Sequence, residues 1–338
     1  MNVKVLGRTD LKELLEMNDV IEGVKSAYRL KAEGETVVWP LVSHDFTDRN
    51  AVMDIRSGGI FGEEQLHGLK MLNNFPLNLQ KGLPSFNGML LIFDSQTGIP
   101  LGVMDASYIT CMRTGAAGAI GAQLLARKDS ENLFILGAGK QAIFQIAAAL
   151  TAFSGLKKVY IADQLCPDNA ANLAETCGKK LWEDFHLDSG SVVFEGVKDI
   201  ASAVADSDII ITVTPARSPV IQKEWVREGT HFSCIGADME GKEEIDPHIF
   251  ENARIFADDI PQCMKVGEME VPIKTGVISE EDIAGEIGQV LSGNLRGRTD
   301  DKQITIFDAT GLAILDLVTG KRAIAQADSK GTGLTADI

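Results

Sequence analysis

The segment Leu133-Phe134-Ile135-Leu136-Gly137-Ala138-Gly139-Lys140-Gln141-Ala142 constrains the fold more than any other part of the chain. Four apolar residues of strand character run into G-x-G-x-x-A and then into an Ala-rich helical stretch. A turn without side chains lets a pyrophosphate lie against backbone N–H groups at the positive end of the helix. In that reading Gly137 makes the turn, Gly139 permits close approach of the phosphates, and Ala142 lets helix and strand pack. The next apolar run, Val159-Tyr160-Ile161-Ala162, ends in Asp163. Since 163 − 142 = 21, this acid falls where a ribose-binding carboxylate is expected. A carboxylate there accepts hydrogen bonds from ribose hydroxyls and repels a 2′-phosphate. The following Gln164-Leu165-Cys166 supply no Arg for such a phosphate, so NAD(H) is expected over NADP(H).

The surrounding pattern agrees. Strand-length apolar runs at 132–136, 158–162, 191–194, 209–213, 232–235 and 254–257 alternate with helical stretches, the signature of a doubly wound parallel sheet. The expected fold is therefore α/β, a Rossmann-type domain at 121–303. A domain of α+β texture at 1–120 is completed by about 304–330. The first domain reads as a helix at 11–32 and strand-like pieces at 36–39, 51–55 and 88–93. Late in the chain we read a helix at 279–291, a short strand at 303–307, a last helix at 312–327 and a loose tail at 328–338.

Charge excludes whole classes of function. With 32 Lys+Arg against 48 Asp+Glu, the net charge of −16 repels nucleic acid and anionic membrane surfaces. An anionic small molecule can bind only where cations are gathered locally. The five cysteines are scattered without a CxxC pair, and the five histidines show no metal-ligand spacing, so no metal is expected. The first residues lack the apolar core of an export signal, and no apolar stretch is long enough to span a bilayer. A cytoplasmic protein is expected.

Two cations stand out because small or apolar residues flank them: Lys70 in Gly68-Leu69-Lys70-Met71-Leu72 and Arg113 in Cys111-Met112-Arg113-Thr114-Gly115. Charges in such surroundings must be paired or face a cavity, and a substrate carboxylate is a suitable partner. Asp238, after the fifth parallel strand, stands at the carboxyl ends of the sheet, where it could move a proton to or from an amine. The candidate cofactor-binding residues are Gly137, Ala138, Gly139, Lys140, Gln141 and Asp163, with Thr114 and Thr214.

Together these segments resemble the ornithine cyclodeaminase/μ-crystallin family. The likeness is carried by Gly68-Leu69-Lys70 with Pro76 and Gly82-Leu83-Pro84, Thr97-Gly98-Ile99-Pro100-Leu101, and Thr110-Cys111-Met112-Arg113-Thr114. It continues in the Gly137 turn, Ile235-Gly236-Ala237-Asp238 with Gly241-Lys242-Glu243-Glu244, Gln262 with Gly267-Glu268, and Phe307-Asp308-Ala309-Thr310-Gly311. The resemblance implies a homodimer joined through the substrate domains and NAD(H)-dependent chemistry on the C–N bond of a small amino acid. By it, Lys70 and Arg113 hold the α-carboxylate, while Asp238 orients the amine and takes part in proton transfer. Ornithine cyclodeamination is the leading expectation, with Asp54 as the acid for the distal amine. Alanine dehydrogenase and imino acid or ketimine reductase are the alternatives, and a non-catalytic ligand-binding protein of the crystallin type is a further one. The acid at Asp238 speaks for catalysis. The chain departs from the family at Leu41-Val42-Ser43-His44, where a carboxylate-binding Arg is common; Arg56 is the candidate replacement, and with Lys70 and Arg113 it would also suit a dicarboxylic imine.

Overall fold

A computed structural model of the chain describes residues 1–62 and 64–337. In chain order its early elements are β1 (Asn2–Leu6), α1 (Arg8–Leu14), α2 (Met17–Ala32), β2 (Thr36–Val38), β3 (Val42–Phe46), β4 (Ala51–Ile60), β5 (Leu66–Asn74), β6 (Phe86–Asp94), β7 (Pro100–Asp105) and α3 (Ala106–Leu125). The middle holds β8 (Asn132–Leu136), α4 (Ala142–Ala152), β9 (Lys158–Ala162), α5 (Pro167–Phe185), β10 (Val193–Gly196), α6 (Ile200–Asp206), β11 (Ile209–Thr212), β12 (Arg217–Ile221), β13 (His231–Cys234), β14 (Glu243–Ile245) and β15 (Ala253–Ala257). Then come α7 (Ile260–Val266), α8 (Glu270–Lys274), β16 (Ile283–Glu286), α9 (Ile287–Leu291), β17 (Ile304–Asp308), α10 (Ala313–Lys330) and β18 (Leu334–Asp337). The chain divides into two compact units, Met1–Arg113 with Leu312–Ile338, and Thr114–Gly311.

The second unit is built on a parallel sheet of order β10-β9-β8-β11-β13-β17-β15-β16 among the described residues. Its central strands are apolar without alternation because helices cover both faces: Leu133 through Leu136 and Ile209 through Ile211 are fully buried. Strand order reverses between β8 and β11, and the crevice at the carboxyl ends there is the ligand position of open α/β sheets. The short strands β12 and β14 pair beside it as a separate two-stranded sheet.

The first unit is a mixed sheet of order β18-β1-β7-β6-β5-β4-β2, with β3 also on β4. The even-numbered positions on β4 to β7 form one face, over which α10 packs, and Ile60, Leu66, Lys70, Leu90, Ile92 and Met104 are buried there. The odd-numbered positions form the other face.

Several readings change. The strand at 304–308 does not complete the first domain; β17 lies between β13 and β15, because Thr305, Ile306 and Phe307 are all fully buried and fit only a sheet covered on both sides. The tail is not loose: α10 runs to Lys330 and β18 pairs antiparallel with β1, the N-terminal ammonium meeting Asp337 at 2.6 Å. Only Ile338 of that tail lies outside the described residues. The helix at 279–291 is a short 3₁₀ turn, strand β16 and the single-turn α9. The helix at 11–32 breaks at Leu15, which lets the consecutive Leu14 and Leu15 both be buried. No helix among the described residues is long and apolar enough to cross a membrane.

Candidate active site

The turn after β8 is built as its residues require. Gly137 has φ +106°, a backbone that side chains disfavour. A Cβ placed on Gly139 would meet no atom within 4 Å, so the space above this turn is open. Ala142, fully buried, starts α4 directly behind it. Asp163, one residue past β9, accepts from the Ala138 amide at 3.3 Å through Oδ2 and from the Leu165 and Cys166 amides at 3.1 and 2.9 Å through Oδ1. The acid is thus fixed at the lip of the glycine turn by its own loop. An open cradle, backbone amides at a helix start and a carboxylate on the neighbouring strand fit a dinucleotide.

A cleft of ≈ 260 Å³ lies at the reversal point, lined in part by Thr114, Gln141, Thr214, Gly236, Asp238 and Lys242. Four of the expected site residues, Thr114, Gln141, Thr214 and Asp238, therefore meet around one space. The Asp238 side chain is 39% exposed and reachable from the cleft. Its Oδ1 accepts from Lys242 Nζ at 2.6 Å, and the same ammonium donates to the Gly236 carbonyl at 3.2 Å. Lys242 lies four residues after Asp238, in the same loop between β13 and β14.

In the first unit, Lys70 and Arg113 share a partner that the sequence reading missed. Asp316 of α10 accepts from Lys70 Nζ at 2.7 Å and from Arg113 Nε at 3.1 Å, and all three side chains are buried. The signal was present: Asp316 interrupts Ala313-Ile314-Leu315-Asp316-Leu317-Val318 as Arg113 interrupts its own apolar stretch. Burial opposes ionisation of Asp316, yet the charges of Arg113 and Lys70 outweigh it and hold the carboxyl below its ordinary value. Burial first, and then the Arg113 charge, lower the Lys70 ammonium to about 7 against the pull of Asp316. Arg56 faces Lys70 across the β4–β5 pair and lowers it further. With Lys70 protonated, two buried cations on one carboxylate leave an excess positive charge, the local gathering of cations that the acidic chain needs to bind an anion. Asp54 lies two residues before Arg56, opposite Leu72 and therefore on the same face of β4. No group of three or more His, Cys, Asp or Glu side chains among the described residues could hold a metal ion.

A glycine-rich strand-to-helix turn at the reversal of a parallel sheet, with an acid on the adjoining strand, defines a Rossmann-type dinucleotide-binding protein, here carried with a mixed-sheet unit holding a buried cation cluster. The chain belongs to the ornithine cyclodeaminase/mu-crystallin family, matched over residues 1–331. The alanine dehydrogenase of Archaeoglobus fulgidus is 37% identical over 335 residues, 98% of each chain. Among solved structures, an archaeal alanine dehydrogenase dimer with bound NAD superposes with a TM-score of 0.90 at 35% identity over 100% of both chains. The Thermococcus litoralis Δ1-pyrroline-2-carboxylate reductase, in complex with NADH and L-proline, gives 0.91 at 32% identity over 99% of this chain and 100% of its own.

Proposed function

We propose that the chain catalyses NAD(H)-dependent oxidation and reduction at the α-carbon–nitrogen bond of a small amino or imino acid. The observation that carries this reading is the buried Lys70–Asp316–Arg113 cluster, in which two basic side chains share one internal carboxylate, so that with Lys70 protonated one positive charge is left for a bound anion. Arg113 uses Nε on Asp316, so the Nη1/Nη2 edge of its guanidinium is the part suited to grip an α-carboxylate in two hydrogen bonds. Lys70 adds a second donor. The Gly137 to Gln141 turn, Asp163, Thr114 and Thr214 hold the dinucleotide, and bound NAD(H) supplies the hydride acceptor or donor at the substrate α-carbon. Asp238 orients the substrate nitrogen and takes or returns its proton, and Lys242, 2.6 Å away, keeps that carboxylate aimed. The balance is amino acid plus NAD+ to imino acid, NADH and a proton. The likeness to enzymes of alanine and of pyrroline-2-carboxylate supports substrates with one α-carboxylate and a small side chain.

Asp54 favours a second reading, the ornithine cyclodeamination expected from the sequence, because an acid beside the carboxylate-binding face would suit a distal ammonium. Oxidation at the α-carbon, ring closure by the δ-amine with loss of ammonia, and reduction of the ring imine would then give proline with no net cofactor change. The deciding experiment incubates purified protein with pyruvate, ammonium and NADH, with pyrroline-2-carboxylate and NADH, and with ornithine and catalytic NAD+, following nicotinamide absorbance and ammonia separately. NADH consumption in either of the first two selects the oxidoreductase. Ammonia and proline without net absorbance change select the cyclodeaminase. No turnover of any amino or imino acid overturns both.

Cofactor choice is tested at Asp163. Asp163→Ser with Gln164→Arg is expected to shift preference towards NADP(H) by about 10- to 100-fold, the worth of one charge-assisted contact. A wild type that already prefers NADP(H) would contradict the ribose assignment.

We also propose that the chain works as a homodimer through the odd-numbered face of the first unit's sheet. Ile55, Leu69, Met71, Met89, Leu91 and Val103 lie there across neighbouring strands, Met89 being 61% exposed and Met71 37%. A continuous apolar patch of this kind marks an interface. Met89→Glu is expected to give a monomer in sedimentation, and an unchanged mass would remove the assignment. We propose a cytoplasmic location, which the five free cysteines support.

A further inference from the structure

Two loops bound the cleft in the second unit, one after β11 carrying Thr214 and one after β13 carrying Gly236 and Asp238. A single buried carboxylate joins them. Glu244 of β14 accepts from the Thr214 amide at 2.6 Å through Oε1 and from the Gly236 amide at 3.0 Å through Oε2. The fit leaves no slack: a Cβ at Gly236 would stand 2.4 Å from Glu244 Oε2 and 2.4 Å from the Thr214 carbonyl oxygen. Glu244 is itself fixed, because its amide and that of Ile245 both donate to Glu268 Oε1, at 2.7 and 2.8 Å, deep in the unit. A buried acid with this many aimed donors is a costly feature that serves to order backbone.

We propose that Glu244 is a positioning residue for the reaction: it clamps the Thr214 loop to the Gly236 loop and so fixes where Asp238 and the dinucleotide meet. This rests on the reading of the cleft as a nicotinamide-dependent site, and it assigns Glu244 no contact with substrate. Glu268 acts behind it as the anchor.

Glu244→Gln keeps the shape but turns one acceptor oxygen into a donor, leaving one loop amide without a partner. In the full-length variant the Kd for NADH, read by nicotinamide fluorescence, is expected to rise about tenfold and kcat to fall about tenfold, while KM for the amino or imino acid moves less than about twofold, because its carboxylate is assigned to Lys70 and Arg113. A role confined to packing would leave Kd and kcat where they are, and that result overturns the proposal. Should the variant not fold, amide hydrogen exchange on the wild type decides. Thr214 and Gly236 amides that exchange as slowly as β11 support the clamp, and exchange at the rate of an open loop overturns it. If the wild type binds NADH yet turns over no amino or imino acid, the assigned reaction fails while the Kd and exchange measurements still judge the clamp.

Discussion

Asp238→Asn is expected to lower turnover by about 10²- to 10⁴-fold, the range that removal of a positioned proton-transfer group produces. The asparagine keeps the size of the side chain and can still accept from Lys242, so the loop holds its place. It cannot take a proton from an amine. NADH binding, measured by fluorescence, should stay close to wild type, which separates a chemical defect from a collapsed cleft. The comparison variant is Lys242→Met. It leaves the carboxylate in place and removes the ammonium 2.6 Å away that aims it, so it should weaken activity less than Asp238→Asn does. Full activity in Asp238→Asn would remove the acid from the mechanism.

Asp316→Asn is expected to have the largest effect on stability. It strands Arg113 as a buried cation without an anion and lowers the Lys70 ammonium further, so that Lys70 gives up its proton; removing one partner of a comparable buried pair costs about 3–5 kcal/mol. Urea unfolding of the wild type and the variant measures it, and a loss under about 1 kcal/mol, the scale of an exposed pair, would show that the cluster is not buried in solution. The cluster also sets a pH dependence. The Lys70 ammonium ionises near 10.5 in the unfolded chain and near 7 in the fold. Between those values the unfolded chain holds the extra proton, so the contribution of Lys70 makes stability rise with pH from about 7 to about 10.5. Asp316 works in the opposite part of the scale: its carboxyl is depressed in the fold, so its contribution is present above the unfolded value and lost as pH falls through the folded one. Lys70→Met should abolish the alkaline rise while leaving the acid limb. A substrate carboxylate bound at this site would raise the Lys70 ammonium again, so binding near neutral pH is expected to take up protons, which titration calorimetry in buffers of different ionisation heat detects.

What the sequence disclosed follows from how far each signal reaches. Parallel strands buried on both faces announce themselves as unbroken apolar runs, so β8, β9, β11 and β13 were legible, and with them the glycine turn, whose constraints are local. The site residues that were missed answer to partners far along the chain. Asp316 is 246 residues from Lys70, and no period or spacing connects them. A lone acid in an apolar helix is the one available sign. Glu244 was visible as part of Gly241-Lys242-Glu243-Glu244, but only the fold shows that its carboxylate faces inward to two loop amides while the stretch around it is polar. The strand β17 was misplaced for a related reason: a short apolar run states that it is buried and leaves its neighbours open, and here both neighbours, β13 and β15, precede it in the chain.

The path of the chain has a consequence for how the protein is made. Lys70 and Arg113 leave the ribosome early, and their counterion follows 316 − 113 = 203 positions after Arg113. At about 5–20 residues per second that interval is on the order of 10–40 s. Throughout it the nascent first sheet lacks both its terminal strand β18 and the helix α10 that covers its inner face. The parallel-sheet unit, whose residues are all synthesised before Leu312, has its complete set of strands first. Until α10 emerges, the nascent first unit therefore holds Lys70 on an uncovered sheet face and Arg113 on α3 without the carboxylate that joins them in the fold.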